Sequence, residues 1–585
     1  MTYYNPKIPE KNGGFLCIPF LNLIPQLIKS NKEKFKAYNF IIGDEGFHEF
    51  RKRLREKVIQ LSEKFTANLG IKSRLYNNSD TIVQTGHQPL FYHPGITIKN
   101  LLLNKIGLME GINAINLIVD TDNFKEIAVN IPNYKDGIKI EKEILFSNQY
   151  PIPYEFSAPP SQEAFNLFIE GIKYHLSHPQ FKNLHDNFNE YTNKINYAGK
   201  NFNTLSEFMT AIRRIYENEI ESEYLEIPLS SICDTDEFLI FFLSVVMESE
   251  KFTSIYNCHL ERYRKEHKLR YPANPFPNLS IEDEKIELPF WHFYPHTYSQ
   301  RLSMPISGGS TPAGIGVGVR GRVFAKNKDD TVIVSFEGGD SIEFDKKELY
   351  NGIDLIKKNN IKIRPKAIIL TLFNRLFVSD AFIHGVGGTK YDRITDEIIR
   401  DFYKVEPPEF ITTSLTLYPN VEIASPTHLC IGVGARNDRQ SGVSLRGAIT
   451  TKQSNLIKEN LQDEIKRLEK KLRDMRYNPE RYIIPPTPPL VKGGLKGDLL
   501  KEKENLISIL KTDNINKKEI SMKLKEINER IYQKIEPSVR SVESEMKILK
   551  KRQDELEAIQ RRDYPYFLFS LEEIMKLLAM SQYSK

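Results

Sequence analysis

The apolar positions in the first part of the chain predict one amphipathic helix followed by a strand–helix–strand unit. Between residues 45 and 69 the apolar side chains recur at spacings of three and four, which is the period of a helix with one buried face. A β-rich segment follows at 81–86 (TIVQTG), a helical pattern covers 96–110, and a buried strand pattern at 114–122 ends in acidic residues. Together they predict a right-handed βαβ crossover and a parallel α/β core that begins near residue 80.

A second stretch with α/β character lies much later in the chain. Residues 366–392 return to this pattern, a helix is predicted at 393–403, and 409–421 has the pattern of a further strand. We therefore predict an α/β fold whose core is completed by this second stretch. The segment 128–228, which prolines interrupt, is predicted to be an insertion. The alternation of apolar and polar residues between turns at 285–350 indicates a small antiparallel β-subdomain.

The clearest helical periodicity lies near the C-terminus. Two stretches carry apolar residues at alternating spacings of about three and four: Leu461, Ile465, Leu468, Leu472 and Met475, and then Ile520, Leu524, Ile527, Ile531, Val539, Val542, Met546, Leu549, Leu556 and Ile559. Such stripes predict an antiparallel coiled-coil arm, with a kink or joint at Pro537. The two helices either cover each other or dimerise with a second copy of the chain.

Between these helices, residues 482–498 are rich in Pro and Gly, which predicts an exposed flexible insertion. The insertion is either passive or a polyproline-type ligand for another protein.

Composition limits the classes of partner. The 585 residues contain 82 Lys and Arg against 76 Asp and Glu, and the formal charge of +6 is too small to predict binding to nucleic acid or to an anionic membrane. The four cysteines are far apart in the sequence, so neither a zinc motif nor a disulfide framework is expected. Since no signal peptide or bilayer-spanning apolar run is evident, we expect a cytoplasmic protein.

The first candidate site is the turn after the predicted strand at 81–86. Its segment TGHQPLFYHPG contributes Thr85, Gly86, His87, Gln88, His93 and Gly95. Ligands of open α/β sheets bind outside the carboxyl ends of the strands, and a helix N-terminus there favours an anion such as phosphate or carboxylate. The imidazoles are suited to donate to that anion or to exchange protons. In the alternative interpretation, both histidines only bond backbone carbonyls.

The second candidate is a pair of acids, Asp120 and Asp122, at the end of the next predicted strand. Acids one residue apart point to the same side of an extended chain, so they are placed to orient a histidine, bind an amine or hold a metal. The alternative is that one of them caps the following helix. We assign them to chemistry with an amine and predict no metal centre.

The third candidate is the Gly-rich segment IHGVGGTKYD at 383–392. It contributes His384, Gly385, Gly387, Gly388, Lys390 and Asp392. The glycines permit close backbone approach or positive φ, and Lys390 is placed to reach a phosphate or carboxylate. The spacing matches neither the Walker A nor the dinucleotide-binding pattern, so a plain tight turn is the alternative. Weaker candidates are the loop 431–442 and the aromatic, basic segment 291–301.

These three segments, in this order and followed by a terminal coiled coil, resemble the family of cysteine-adding enzymes of bacillithiol biosynthesis. The family's Thr-Gly-Gln-Gln strand end and the helix after it look like TGHQPLFYHPGITIKN, and its acidic strand end is similar to DTDNF. Its Gly-rich turn is similar to AFIHGVGGTKY. The matching positions are Thr85, Gly86, Gln88, Lys99 within one position, Asp120 to Phe124, Ala381, Gly385, Gly387 and Tyr391.

The chain also departs from the family pattern. His87 stands in place of the first Gln, Gly388 stands in place of the acid of the Gly-rich turn, and His384 and Lys390 have no counterpart. The resemblance therefore implies a remote homologue whose substrate can differ.

The resemblance implies a Rossmann-like parallel-sheet core, similar to that of the class I aminoacyl-tRNA synthetases, with inserted subdomains and a dimerising coiled coil. The reaction that the resemblance implies joins a cysteine to an amino-sugar malate conjugate. The resemblance also implies that a nucleotide can occupy the core.

The predicted parts of the chain are 1–127 (first half of the core with an N-terminal helix), 128–230 (connecting insertion), 231–284 (helical return to the core), 285–350 (β-subdomain), 351–450 (second half of the core), 451–562 (coiled-coil arm with a flexible insertion at 477–500) and 563–585 (C-terminal helix).

The leading hypothesis is a ligase-like enzyme acting on a small molecule of low-molecular-weight thiol biosynthesis. The residues assigned to catalysis are His87, His384, Asp120 and Asp122. The histidines and Lys390 are expected to hold an anionic group, while the acids receive an amine. The competing hypothesis is a non-catalytic scaffold in which the arm recruits a partner and the core keeps only its shape.

Overall fold

The computed structural model describes residues 6–195, 202–218, 221–271, 273, 275–282, 284–293, 320–421, 451–482, 496–512 and 517–580. The chain divides into two compact units. The first contains Met1–Ile131, Glu141–Ile423 and Arg562–Lys585, and the second contains Pro132–Ile140 and Ala424–Arg561.

The strands of the described residues are β1 (Gly14–Ile18), β2 (Ile41–Ile42), β3 (Glu45–Gly46), β4 (Ile82–His87), β5 (Asn113–Ile118), β6 (Asn123–Tyr134), β7 (Ile138–Pro153), β8 (Leu225–Pro228), β9 (Ile281–Glu282), β10 (Lys285–Phe293), β11 (Gly321–Asn327), β12 (Thr331–Phe336), β13 (Ser341–Asp345), β14 (Lys362–Pro365), β15 (Ala381–His384) and β16 (Ile411–Thr416).

The α-helices of the described residues are α1 (Ile24–Lys36), α2 (Phe47–Asn68), α3 (Pro94–Glu110), α4 (Gln162–His175), α5 (Lys182–Lys194), α6 (Leu205–Glu217), α7 (Leu229–Cys233), α8 (Asp236–Met247), α9 (Ser249–Glu266), α10 (Leu349–Lys358), α11 (Ala367–Phe373), α12 (Val386–Tyr403), α13 (Thr451–Tyr477), α14 (Lys496–Thr512), α15 (Lys517–Ile559) and α16 (Leu571–Met580).

The central sheet of the first unit has the strand order β1-β16-β15-β4-β5-β8. Five of these strands run parallel, and β1 pairs antiparallel with β16. The predicted mixed α/β fold with a parallel sheet is therefore confirmed. Two of its strands were not predicted: β1 lies near the N-terminus, and β8 lies inside the segment 128–230 that was expected to be an insertion.

The centre of this sheet is the pairing of β4 with β15. The Asp380 carboxylate, just before β15, accepts hydrogen bonds from Arg51 and Arg55 of α2 at 2.9 Å and from the Ile82 N–H of β4 at 2.8 Å. At the other end of the pair, the Thr85 hydroxyl donates to the Ile383 carbonyl at 2.8 Å. Side-chain bonds therefore hold both ends of this pairing.

The direction of the connections reverses at the same pair of strands. The chain passes from β4 through α3 to β5 on one side, and from β15 through α12 to β16 on the other. Such a reversal opens a crevice outside the carboxyl ends of the two central strands. A buried apolar cluster on one face of the sheet includes side chains of α2, α8 and α12.

The second sheet is antiparallel, with the order β13-β12-β11-β10-β14 and β9 beside β10. It confirms the β pattern predicted at 285–350 and extends beyond it, because β14 pairs with β10 at Phe290–Phe293. Buried side chains of this sheet, such as Phe290 and Val334, belong to the same apolar cluster as α8. The sheet therefore shares the core of the first unit.

The second unit contains α13, α14 and α15. The apolar residues of the predicted stripes are buried along α13 and α15, among them Leu468, Ile531 and Leu549. Helix α15 runs on through Pro537. Of the insertion predicted at 477–500, residues 483–495 lie outside the described part of the chain, and a 3₁₀ turn at Pro479–Tyr482 precedes them.

The last segment of the first unit packs beside the turn that follows β4. The Tyr566 N–H donates to the Tyr92 carbonyl at 2.7 Å, and the Phe567 ring packs edge-on against Phe91 with centroids 5.6 Å apart. Tyr566 and Phe567 are both 1% exposed.

No helix in the described ranges is long and apolar enough to cross a membrane.

We predict that Phe567→Ala destabilises the first unit by about 3–5 kcal/mol, because it removes a fully buried aromatic ring and leaves a cavity. Chemical denaturation followed by circular dichroism measures the loss. The matched control is Phe20→Ala, since Phe20 is 54% exposed and should cost little. Equal losses in the two variants would contradict the packing described for the C-terminal segment.

Candidate functional site

The three segments singled out in the sequence meet at the carboxyl edge of the central sheet. His87 ends β4 and pairs in register with Ile118 at the end of β5, just before Asp120 and Asp122. His384 ends β15, the other neighbour of β4. These ends flank the crevice where the connections reverse direction, which is where open α/β sheets bind ligands.

Lys99 is the buried cation of this edge. Its side chain is 5% exposed, and its ammonium donates to the Gly86 carbonyl at 2.7 Å. No carboxylate among the described residues forms an ion pair with it, and burial lowers the pKa of Lys99 to about 7. An ammonium has three N–H donors, so this carbonyl leaves capacity for an anionic partner. Without such a partner, Lys99 exchanges a proton near neutral pH.

His87 and Gln88 form the turn directly above β4. The His87 Nδ1 lies 3.2 Å from the Gln88 carbonyl, and its ring packs edge-on against Tyr92 with centroids 5.2 Å apart. Desolvation, together with the charge of Lys99, lowers the pKa of His87 to about 3. The imidazole is therefore neutral at physiological pH, so the positive charge expected from the histidines of this turn comes from Lys99 instead.

His93 and Gly95 have structural partners at the start of α3. The His93 Nδ1 accepts the Gly95 N–H at 3.0 Å and so caps the helix, and burial lowers the pKa of His93 to about 4. A Cβ at Gly95 would lie 2.8 Å from an Arg562 nitrogen and 2.9 Å from the Leu415 carbonyl. Glycine at this position lets α3 approach β16, and the structure gives neither residue a contact with the crevice.

Asp122 lies in a polar chain at the edge of the site. One carboxylate oxygen accepts the Gln88 amide N–H at 2.7 Å, and the other lies 3.4 Å from an Arg320 nitrogen. The Arg320 guanidinium in turn lies over the Trp291 ring, 5.2 Å from its centroid. Asp122 is thus joined to the first candidate segment and to the second sheet.

Asp120 points to different partners, so the two acids do not act as a pair. It is 2% exposed and accepts hydrogen bonds from the Ser230 N–H at 2.9 Å and the Ser230 hydroxyl at 2.5 Å. Burial, reinforced by the charge of Glu155, raises the pKa of Asp120 to about 7. The expectation that both acids face one side is wrong, because the chain turns between β5 and β6 and Asp120 is drawn to the start of α7.

The Gly-rich segment forms a helix start and not a loop. Helix α12 begins at Val386, whereas the sequence predicted a helix only from 393. Gly385 precedes the helix with an extended backbone, and Gly387 and Gly388 lie in its first turn with ordinary helical geometry. The prediction that Gly385, Gly387 and Gly388 have positive φ is therefore wrong. A Cβ at Gly388 would lie 3.0 Å from the His384 Nδ1, so glycine allows the imidazole to lie against the helix.

His384 belongs to a buried charged group behind this helix start. Its Nε2 lies 2.5 Å from an Asp392 carboxylate oxygen, and Arg375 contacts Asp392 at 3.2 Å and Asp396 at 2.6 Å. Although burial disfavours a charged carboxylate, His384 and Arg375 hold the pKa of Asp392 below its ordinary value. Arg375 comes from a single π-helical turn, Asn374–Val378, just before β15. A carboxylate beside an imidazole fixes the orientation of the ring.

The remaining two residues of this segment lie further along α12. Lys390 is exposed, three residues after Gly387 and hence on the same side of the helix. Tyr391 packs instead against Tyr263 and Phe276, with centroids 6.2 and 5.4 Å away. The resemblance had singled out Tyr391 for the site, but its ring contributes to an aromatic cluster with α9.

Sequence reasoning did not identify Arg320 and Arg375. Neither lies within a candidate motif, and their contacts with Asp122 and Asp392 connect them to the site. Lys99 was selected through the family resemblance alone, because its position in a helical pattern does not reveal its burial. The loop 431–442 and residues 294–301 lie outside the described part of the chain.

Comparison with known proteins adds no family assignment: no protein-family model matches the chain, and no curated protein matches it.

Within the described ranges, no group of three or more His, Cys, Asp or Glu side chains is arranged to hold a metal ion. The site offers a buried ammonium, a neutral imidazole, a carboxylate–imidazole pair and an amide–carboxylate pair. Such a set is suited to bind a small anionic molecule and to move a proton.

We predict that the stability of Asp120→Asn, measured relative to that of the wild type, increases as the pH rises. The raised pKa means that folded Asp120 holds its proton more tightly than the unfolded chain does, so its stabilising contribution is complete below about pH 4 and is lost by about pH 7. The asparagine has no such loss, and the difference amounts to a few kcal/mol, about 1.4 for each unit of pKa. Melting temperatures of variant and wild type at pH 5 and pH 8 measure it.

The matched control is Asp354→Asn, which changes an exposed carboxylate on α10. The difference in melting temperature between this variant and wild type should be nearly the same at pH 5 and at pH 8. If Asp120→Asn also shows a constant difference, the protonation assigned to Asp120 is contradicted.

Proposed function

We propose that the chain is a small-molecule enzyme of the ligase-like, amino-acid-adding kind, with its active site at the carboxyl edge of the central sheet. The observation that carries the proposal is Lys99, which is 5% exposed and forms no ion pair within the described residues. An unpaired buried charge costs several kcal/mol, so it is retained where it has a partner in the functional state. A substrate anion in the crevice is that partner.

The family resemblance supports the same site. Thr85, Gly86, Gln88 and Lys99 are the positions that match the first motif of the cysteine-adding enzymes of bacillithiol biosynthesis. We therefore propose a Rossmann-like core of the class I synthetase type, and a reaction that joins an amino acid such as cysteine to an amino-sugar conjugate. The strand order, with its reversal between β4 and β15, is consistent with this assignment.

The side chains suggest separate roles within that reaction. Lys99 holds the anionic group of the substrate, and Asp122, kept in place by Gln88, receives the amine at the accessible edge. His384 moves the proton, because Asp392 lies beside its ring and orients it. His87 remains neutral and shapes the turn, donating or accepting one hydrogen bond.

A non-catalytic scaffold is the second candidate, and one observation favours it. Of the side chains selected for chemistry, His93 caps α3 and Asp120 binds Ser230, so both have structural partners. A core that had lost its activity would keep such contacts. Under this alternative, the helices of the second unit recruit a partner, and the crevice binds no small molecule.

We also propose that α13 and α15 form a coiled coil through which two copies of the chain associate. Their apolar stripes are buried, but α15 also carries exposed apolar side chains, with Met522 57% and Ile548 62% exposed. An apolar side chain that is exposed on a long helix becomes buried when a second helix packs against it. A second copy of the chain is the partner that the family resemblance implies.

The ligand prediction uses a thermal-shift screen with nucleotides, cysteine and sugar–malate conjugates. A ligand at about 100 times its Kd should stabilise the wild-type protein by about 2.7 kcal/mol. Lys99→Met should lose this response without a lower melting temperature of its own, because the substitution removes an uncompensated buried charge. The matched control is Lys105→Met on the same helix, which should keep the response.

The outcomes separate the two candidates. A wild-type protein that responds to none of these compounds contradicts the enzyme proposal and leaves the scaffold. A Lys99→Met variant that responds as strongly as wild type contradicts the role given to the buried ammonium.

The association prediction concerns the mass of the protein in solution. Sedimentation of the wild-type chain should give twice its 67.9 kDa, and Ile548→Glu should give the monomer, because it places a charge in an apolar contact. Gln553→Glu adds the same charge to the other side of α15 and should remain dimeric. A monomeric wild type, or two variants that behave alike, would contradict dimerisation through this face.

A further inference from the structure

Arg320 and Asp122 form an accessible pair of opposite charges at the edge of the candidate site. An Arg320 nitrogen lies 3.4 Å from one Asp122 oxygen, and the Gln88 amide donates to the other oxygen at 2.7 Å. The side chains of Arg320 and Asp122 are 25% and 38% exposed, so solvent reaches both charges. A molecule that enters from solvent therefore has access to a cation and an anion that lie side by side.

The contact between these two residues is long for a guanidinium and a carboxylate, whose hydrogen bonds are typically about 2.7–2.9 Å. Arg364 contacts Glu155 through two nitrogens, at 2.8 and 2.6 Å. Arg322 contacts Glu337 through two nitrogens as well, at 2.9 and 2.7 Å. Arg320 uses a single nitrogen at 3.4 Å, so its ion pair leaves room for a closer partner.

The Arg320 guanidinium also has donors to spare. A guanidinium carries five N–H donors, and among the described residues only Asp122 lies within hydrogen-bonding distance of this one. The donors lie in one plane, in a fork that matches the two oxygens of a carboxylate. The chemistry of Arg320 therefore favours a second carboxylate, one that belongs to a ligand.

The Trp291 indole holds this guanidinium in position. Arg320 lies over the ring, 5.2 Å from its centroid, and β10 keeps Trp291 in place because it pairs with strands on both sides. Cation–π attraction stabilises a guanidinium in this arrangement. A second cation over the same ring, Lys366 at 4.2 Å, is paired with Glu287 at 2.6 Å. Of the two cations over Trp291, Arg320 is therefore the one with capacity for a ligand.

We propose that Asp122 and Arg320 bind the two charged groups of a free α-amino acid, and that Arg320 selects amino acids over simple amines. This role rests on the proposed function and names the residue that recognises the carboxylate. The ligand ammonium binds Asp122, while its carboxylate binds the guanidinium that Trp291 holds. An α-amino acid carries both charges on one carbon, so it complements two opposite charges that are neighbours. One long contact is exchanged for two charge-assisted hydrogen bonds.

The experiment compares three ligands of similar size on the full chain. Cysteine carries both charges, cysteamine lacks the carboxylate and 3-mercaptopropionate lacks the ammonium. Calorimetric titration under reducing conditions measures the affinities. Cysteine should bind the wild type at least about tenfold more tightly than either other compound, because only cysteine makes a charge-assisted bond with each residue of the pair.

Arg320→Gln removes the charge that recognises the carboxylate. It should weaken cysteine binding by at least about tenfold and change cysteamine binding by less than about threefold. The matched control is Arg322→Gln, because Arg322 also lies over an aromatic ring, that of Phe324 at 5.0 Å, and also pairs with an acid, Glu337. This control should bind cysteine as the wild type does. Both variants replace partly exposed side chains and should melt within a few degrees of the wild type.

Tryptophan fluorescence gives a second measurement at the same place. Trp291 is the only tryptophan among the 585 residues, so emission excited where tyrosine does not absorb reports on this indole alone. Cysteine should change the emission of the wild type and of Arg322→Gln, because the guanidinium over the ring acquires a new partner. The emission of Arg320→Gln should not respond.

Three results would overturn the amino-acid site. They are equal cysteine affinities in Arg320→Gln and the wild type, cysteamine binding as tight as cysteine binding, and cysteine binding that leaves the Trp291 emission unchanged. In each case the chain still binds a small molecule, and the proposed function survives. A wild type that binds a nucleotide or a sugar–malate conjugate but no cysteine has the same consequence. If none of these compounds binds, the amino-acid site and the proposed function both fall.

Discussion

The pairing of β4 with β15 is the contact on which the rest of the first unit depends. It joins residues 298 positions apart, as in the bonds of Ile82 with Asp380 and of Thr85 with Ile383. Closing so long a loop costs conformational entropy. The buried Asp380 carboxylate offsets part of this cost, because it accepts hydrogen bonds from Arg51 and Arg55 of α2 and from the Ile82 N–H of β4. The reversal of connections, and with it the crevice, exists because these two strands are neighbours.

Burial, more than the identity of the side chains, determines the chemistry of the crevice. It keeps the imidazoles of His87 and His93 neutral, lowers the pKa of Lys99 and raises that of Asp120. His384 instead lies beside a carboxylate, with its Nε2 2.5 Å from an Asp392 oxygen. Within the described residues, the edge of the sheet therefore combines a buried lysine that forms no ion pair with an imidazole that lies beside a carboxylate.

The elements that could be predicted from the sequence are those with a local pattern. The helix at 45–69, the β4–α3–β5 unit and the antiparallel sheet follow from periodicity, which depends on residues close together in the chain. Strands β1 and β8 were missed because each is short, and their places in the sheet depend on distant partners. The glycines at 385–388 were interpreted as a loop because glycine is a poor helix former, although here it allows close packing.

The site residues were harder to predict, for a related reason. Periodicity and strand ends placed His87, Asp122 and His384 at one edge, but the sequence could not show which acid or histidine would find a structural partner. Asp120 and Asp122 are equivalent in the sequence and differ only because Ser230 lies beside one of them. Lys99 lies in a helical pattern as an ordinary lysine does, and only the packed structure shows that none of the described carboxylates pairs with it.

The arrangement of the units along the chain affects the order in which the protein is completed during synthesis. The first unit is interrupted after Ile423 and resumes at Arg562, so the residues that pack against the turn after β4 are synthesised after those of the second unit. Until Tyr566 and Phe567 have emerged, Tyr92 and Phe91 lack the contacts that these two residues supply. Since domains usually fold as contiguous segments in the order of translation, a unit that is interrupted in this way is completed later than an uninterrupted one. A nascent chain therefore completes the packing beside the turn after β4 only after the residues of the second unit have been synthesised.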